Sequence, residues 1–243
     1  AYPWTPQLPP GPLTTQQVRE PAEEQALSAE IDTLKPISDP TSQVVRALYE
    51  ENPYPRWATP YRTVAQDARE IYRLRYPNAD FRHLDTVTAP EILVAGCGTG
   101  ANLMISIGGY KAWRVTAIDL SRASLAHAKR HLTALNIPDV RLLQADILDL
   151  PALEQTFDII EAAGVLHHMA EPVKGWRILV DKLRPGGVMQ VALYSKIARR
   201  GIDKVRVFAK ARYSPTHHGI MAFRREALAI LRDPTHSLRP AME

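Results

Sequence analysis

The sequence has little of what marks a secreted, metal-clustered or membrane-spanning protein. Among 243 residues there is one cysteine, Cys97, which excludes an internal disulfide framework and a cysteine-based zinc cluster. That usage fits a reducing, cytoplasmic setting, and no metal site is expected. No run approaches the roughly 18 apolar residues that cross a bilayer, and the start AYPWTPQLPPGP is too broken by proline for a signal peptide. Internal repeats are missing, as is an initiating methionine, so the chain reads as a piece of something longer. Excess charge is small: a net +4 permits nucleic acid or another acidic partner without demanding one.

What is present is an ordinary globular composition, 45% apolar and 23% charged, on a chain long enough for one domain with a sizeable core. From Ala1 to about Pro40 proline, glutamine and glutamate dominate, and an extended arm with at most one short helix is expected there. Residues 41–80 read as a helical and aromatic segment. PTSQVVRALYEENP predicts a helix capped by Thr41 or Ser42, with Val44, Val45 and Leu48 on one face. NPYPRWATPYR predicts a rigid loop carrying Tyr54, Trp57 and Tyr61, and a polar helix is expected from about Thr63 to Arg75.

Residues 81–195 alternate short β-rich runs with helical stretches, the pattern of a parallel sheet covered by helices. The five runs are EILVAG, WRVTAID, VRLLQAD, FDIIEAAG and VMQVALYS. Right-handed crossovers order them 3-2-1-4-5, with ligands expected at the carboxyl ends beside the switch point between strands one and four. Ser121 should cap a helix whose Leu125, Ala128, Leu132 and Leu135 share a face. Residues 196–243 read as two basic amphipathic helices, and no further strand pair is visible before Glu243.

The glycine loop GCGTGA leaves two cofactors open. As G-x-G-x-x-A it fits a dinucleotide, and as G-x-G-x-G it fits S-adenosylmethionine; Asp119, about 20 residues on, suits the ribose of either. Cys97, between two glycines, reads as a packing choice rather than a nucleophile.

Taken with LLQADILDL, FDIIEAAGVLHHM and LVDKLRPGGVMQVALYS, the loop resembles the class I S-adenosylmethionine-dependent methyltransferases, in their type 11/12 branch, over about Glu91 to Ser195. The element NPYPRW ahead of it looks like methyltransferase domains joined to tetratricopeptide repeats in bacterial proteins, which implies flanking domains. The resemblance implies an α/β, Rossmann-like fold and a methyl transfer from S-adenosylmethionine, leaving S-adenosylhomocysteine, to an unidentified small-molecule or protein acceptor. It implies that Gly96, Cys97, Gly98, Thr99 and Gly100 form the cofactor loop, that Asp119 and Leu120 meet ribose and adenine, that Asp146 and Ile147 read the adenine amino group, and that Gly164 and Val165 border the methionine end. The superfamily's last two strands, an antiparallel pair beside strand five, are not visible, so that edge should be covered by the terminal helices or by another chain.

His167 and His168 are the nearest general-base candidates. Tyr49, Asn52, Tyr54, Arg56 and Trp57 form a candidate substrate lid, against the plainer reading of a clasp that pins the arm. Two rival functions stand beside the enzyme. One is a non-catalytic module binding RNA or an acidic protein through Lys196, Arg199, Arg200, Lys204, Lys210 and Arg212, set opposite Ile197, Val205 and Phe208. The other is a nicotinamide-dependent dehydrogenase.

Overall fold

The computed structural model describes residues 9, 11–58, 67–104, 114–137 and 140–242. Outside them lie Tyr61, the expected helix start at Thr63, Trp113 of strand two and residues 105–110 of the helix after the glycine loop. The chain divides into two compact units, residues 1–193 and 194–243.

The first unit is built on six strands: β1 (Asp32–Thr33), β2 (Glu91–Ala95), β3 (Arg114–Asp119), β4 (Val140–Gln144), β5 (Phe157–Ala163) and β6 (Leu183–Ala192). They lie in the order β1-β4-β3-β2-β5-β6 and every pairing is parallel. The five expected strands therefore stand in the expected order, with one short strand added outside β4. Strand alternation splits the core in two. Ile92, Val94, Val115 and Ile159 face Leu125, Leu132, Tyr72 and Leu84, whereas Leu93, Ala95, Ile118 and Ile160 face Leu150, Leu166 and Leu179.

From residue 11 on, the arm is not extended. Helical turns run from Pro12 through a π-type turn, Thr15–Arg19, into helix α1 (Glu20–Ala29). Pro12 falls in a first turn, where a missing N–H costs nothing in hydrogen bonds, and Pro21 stands just after the π-type turn, where the regular bonding pattern already changes. β1 then pairs with Leu143 and Gln144, and Ile31 and Ile37 are buried. Proline position, rather than proline content, decides the outcome.

Helix α2 (Pro40–Glu51) is capped by Asp39, whose carboxylate accepts the Ser42 N–H at 2.9 Å; Thr41 and Ser42 lie inside the helix. Two residues of its expected apolar face are turned outward, Val44 72% and Leu48 58% exposed, while Val45 is half-buried. The inward side carries Tyr49 and Glu50, held by polar and ring contacts described below. Helix α3 (Ala68–Arg75) starts at its Asp67 cap and buries Tyr72, whose hydroxyl donates to Glu161 Oε1 at 3.2 Å. The short helix α4 (Arg82–Thr86) follows.

Helices α5 (Arg122–Ala134) and α6 (Pro172–Lys182) are the crossovers around β4 and β6. Ser121 caps α5 by accepting the Ser124 N–H at 3.0 Å, and Leu125, Ala128 and Leu132 are buried as the spacing requires. The passage RPGG is a bulge inside β6 rather than a turn ahead of it. Between the pairs Phe157–Leu183 and Ile159–Val188, residues 184–187 stand opposite Asp158 alone. Gly186, at φ +79, leaves no room for a side chain against His83. Asp158 fills the space beneath: fully buried, it accepts from the Glu91 N–H (2.9 Å) and Arg184 (2.7 Å), and pairs with His83 Nε2 (2.8 Å).

The second unit holds α7 (Arg200–Arg212), α8 (His217–Arg232) and α9 (Arg239–Met242). Arg212 lies over the Phe208 ring at 4.9 Å and pairs with Glu226 at 3.4 Å. Lys196, Arg200, Lys204, Lys210 and Arg212 are exposed, Arg199 sits over Tyr194, and Val205 and Phe208 are half-buried. Ile197, expected on the apolar side, is exposed instead. Among the described residues no strand follows β6, and no helix is long and apolar enough to cross a membrane.

Candidate cofactor site at the carboxyl ends of the strands

β2 ends at Ala95 and the backbone turns at once. The N–H groups of Gly96 and Cys97 both donate to Ile118 O of β3, at 2.9 and 3.0 Å, which swings the loop toward β3. Gly96 has φ +69, and a Cβ there would lie 2.4 Å from a Val165 methyl. Gly100 has φ +89 and would meet Ala128 Cβ of α5 at 2.8 Å. Side chains at either place would push β5's exit or α5 away from the loop. Gly100 O accepts the Met104 N–H at 2.8 Å, so helix starts at residue 101 with its amino end at the loop.

Asp119 closes β3 directly beneath this loop. Its Oδ2 accepts the Gly98 N–H at 2.8 Å and its Oδ1 the Ser121 N–H at 2.9 Å. A carboxylate has about four acceptor sites, so each oxygen retains capacity toward the rim. Burial raises the Asp119 pKa above the usual carboxylate range, with the Glu50 charge adding to that and the backbone N–H groups of Ser121 and Gly98 opposing it. Leu120 is half-buried beside it. Asp146 ends β4, is buried, and accepts the Leu148 N–H at 3.0 Å, capping the turn Ile147–Ala152; the Ile147 side chain is in the core. Gly164, at φ +75, is exposed at the end of β5 next to half-buried Val165.

The lid segment sits on this rim at two places. Glu50 accepts from Ser121 Oγ (2.7 Å), the Ala123 N–H (2.8 Å) and the Arg122 N–H (3.3 Å), capping α5 from another part of the chain. Thr99, inside the glycine loop, donates its hydroxyl to Pro55 O at 2.7 Å and accepts from Trp57 Nε1 at 3.1 Å through its carbonyl. Tyr54 O stands 3.8 Å from the Cβ position of Gly98, while the Tyr54 and Asn52 side chains are exposed. Tyr49 meets the His168 ring edge-on at 6.0 Å, and His168 lies 4.3 Å from the His167 ring. The structure thus gathers Tyr49, His167 and His168 at one end of the rim.

Arg56 and Trp57 point the other way. Arg56 pairs with Glu24 of α1 at 2.9 Å, and Trp57 stacks on His131 at 3.9 Å and meets His127 nearly at right angles, 5.5 Å between centroids. These two therefore fasten the segment to α1 and α5, while Tyr49 contacts His168 and the Asn52 and Tyr54 side chains are exposed. Glu24 also meets His127 Nδ1 at 2.8 Å and Arg130 at 3.1 Å. Sequence reasoning missed Glu24, Glu50, His127 and His131. Glu24 and His127 are 103 positions apart, and no local pattern links them.

Cys97 is buried, and that burial, with the Asp119 charge, pushes its thiol pKa well up, so it is an inert packing residue. Among the described residues no cluster of three His, Cys, Asp or Glu side chains could hold a metal ion.

The clasp makes stability depend on acid. Burial is the largest influence on Glu24 and would raise it, but the His127 hydrogen bond and the Arg56 charge outweigh it and hold the carboxyl at about 2 instead of 4.5. His131 is pulled from 6.5 to about 4, first by burial and then by the Arg130 and His127 charges. Both folded-state values are depressed, so both contributions are complete at neutral pH. His131's is lost as pH falls from about 6.5 to 4, and Glu24's from about 4.5 to 2. Urea unfolding should show stability falling steadily below pH 6.5, and His131→Gln should flatten the upper part of that slope.

A parallel sheet with a left-handed glycine turn after its central strand, and an acid closing the next strand over that turn, defines a Rossmann-like nucleoside-binding domain. Residues 92–187 match the family model of a methyltransferase domain, and the chain carries a class I S-adenosylmethionine-dependent methyltransferase domain. S-adenosylmethionine is the cofactor of that class. A Synechococcus protein of unassigned function is 31% identical over 174 residues, 70% of this chain and 41% of that protein. The tRNA U34 carboxymethyltransferase of Shewanella amazonensis is 36% identical over 107 residues, 43% of this chain and 32% of that enzyme. The chain thus spans well under half of these relatives. Among solved structures, PKMT2 from Rickettsia typhi in complex with AdoHcy gives a TM-score of 0.51 at 22% identity, covering 63% of this chain and 32% of that one. That likeness concerns the fold.

Proposed function

We propose that this chain transfers a methyl group from S-adenosylmethionine to an acceptor, a small molecule or a protein side chain, that enters beside Tyr49, His167 and His168. The observation that carries the reading is the loop Gly96–Gly100, bent into left-handed turns and tied through the Gly98 N–H to Asp119. The residues fit the nucleoside. Gly96 and Gly98 bare the backbone, Asp119 keeps acceptor capacity for a ribose diol, and the helix that starts at residue 101 favours a carboxylate. Bound there, the cofactor supplies an electrophilic methyl on a sulfonium centre.

The chain's own work is then to hold the two reactants close and in line, a contribution on the order of 7–11 kcal/mol. In this reading His167 and His168, beside Tyr49, take the proton from an acceptor that arrives protonated. A dinucleotide fits less well. Its pyrophosphate, seated over Gly98, would meet the negative end of the Tyr54 carbonyl, and Glu50 adds a second acid near Asp119. A cytoplasmic site of action accords with the single cysteine.

Calorimetric titration at neutral pH should show one S-adenosylmethionine bound per chain and no heat with NADH. If NADH binds and S-adenosylmethionine does not, the reading fails. With label in the donor methyl, transfer into the low-mass fraction of a bacterial extract assigns a small acceptor, and transfer into protein assigns a side chain. Cofactor binding with label in neither would instead support the non-catalytic module.

A further inference from the structure

We propose that Trp57 is a positioning residue for the cofactor loop, acting through Thr99, and that the arm helix α1 holds it in place through Glu24. The inference rests on the loop's binding S-adenosylmethionine. It assigns to a residue outside the nucleotide-binding core the task of fixing that loop's shape.

Left-handed glycines give the loop its turn but no rigidity, because glycine visits many conformations at similar energy. Something else must select one. Asp119 fixes one point, at the Gly98 N–H. The next residue, Thr99, is 1% exposed and is held twice from above, its hydroxyl by Pro55 O and its carbonyl by the Trp57 indole N–H. The first bond fixes the Thr99 side chain and the second orients the Thr99–Gly100 peptide, a group that would line a bound methionine moiety.

Trp57 is itself immobilised. Its ring stacks on His131 at 3.9 Å with planes 21° apart and meets His127 at 84°. His127 is bonded to Glu24, which is also paired with Arg56, the residue next to Trp57, and with Arg130. Glu24 therefore grips the strap on one side and the floor under the indole on the other. A continuous set of contacts runs from α1 to the glycine loop, which it reaches at Thr99. The indole N–H, which needs an acceptor once it leaves water, finds it in the loop carbonyl and so ties the ring to Thr99. Here that bond closes the set.

The test is Trp57→Phe, which keeps an aromatic ring over His131 and removes the indole N–H. The affinities for S-adenosylmethionine and S-adenosylhomocysteine should both weaken about tenfold, the effect of one lost orienting bond. Hydrogen exchange should quicken in the peptide containing Gly96–Gly100 and stay unchanged in β5, a local signature that a general loss of stability does not produce. Arg56→Gln, at a 40% exposed side chain, severs the Glu24 link without touching the core, and should weaken both ligands about threefold; it decides the matter if Trp57→Phe does not fold. Unchanged affinity in a folded Trp57→Phe, or in Arg56→Gln where that variant decides, overturns the inference. Failure of the unaltered chain to bind either ligand would count against the methyltransferase reading instead.

Discussion

Replacing Asp119 with alanine is expected to weaken S-adenosylmethionine binding at least about 100-fold. Two charge-assisted hydrogen bonds from the ribose hydroxyls would be lost, each contributing about 1.5–3 kcal/mol. The same change strips the Gly98 and Ser121 N–H groups of their acceptor, so the glycine loop loses its tether as well. Asp119→Asn should fall between, because its amide oxygen can serve only one of those two donors while its NH2 opposes the other. Titration calorimetry on both variants, with far-ultraviolet circular dichroism to confirm folding, gives the answer. A dissociation constant within threefold of the unaltered chain in a folded Asp119→Ala would remove the acid from the site. The raised pKa of Asp119 adds a second expectation. The ionised form is the stronger acceptor, so affinity should decline as pH falls through that elevated value.

The second large effect concerns the opposite end of the sheet. Asp158→Ala should cost about 3–5 kcal/mol in urea unfolding at pH 7, the range for breaking a buried charged pair on one side. The carboxylate is fully enclosed and serves three partners: the Glu91 N–H, His83 and Arg184. Burial works to raise its pKa, but these partners outweigh it and hold the carboxyl below its ordinary value. Asp158→Asn preserves the bond to Glu91 and should cost about half as much. Because the parallel strands carry the candidate site at their other ends, cofactor affinity of the folded variant should stay within twofold. A loss under 1 kcal/mol would mean that the bulge in β6 is held by its glycines and packing alone.

Legibility in the sequence followed the range of the interactions. The five long strands, the cap at Ser121 and the buried stripe of α5 arise from contacts a few residues apart, and periodicity reports them. The glycine loop and Asp119 were legible because their spacing is set by one β-α-β unit. The arm misled because composition counts prolines without asking where in a helix they fall. Val44 and Leu48 misled for a related reason: the polar anchors Tyr49 and Glu50, fixed by residues more than 70 positions away, turned these two side chains of α2 to solvent. Asp158 did leave a trace, as an acid inside an otherwise apolar run, FDII. Its partners His83 and Arg184 left none.

The arm's incorporation into the core changes where this module can be cut. The match to the methyltransferase family begins at residue 92, yet a gene fragment opened there, or at residue 41, would discard Glu24, Ile31 and β1. Arg130 and His127 would then lose the carboxylate that both contact, and Arg122 would lose the carbonyl of Ile31 that it grips. A portable version for grafting onto other scaffolds has to open upstream of Glu20, so that the sheet travels with its own foundation.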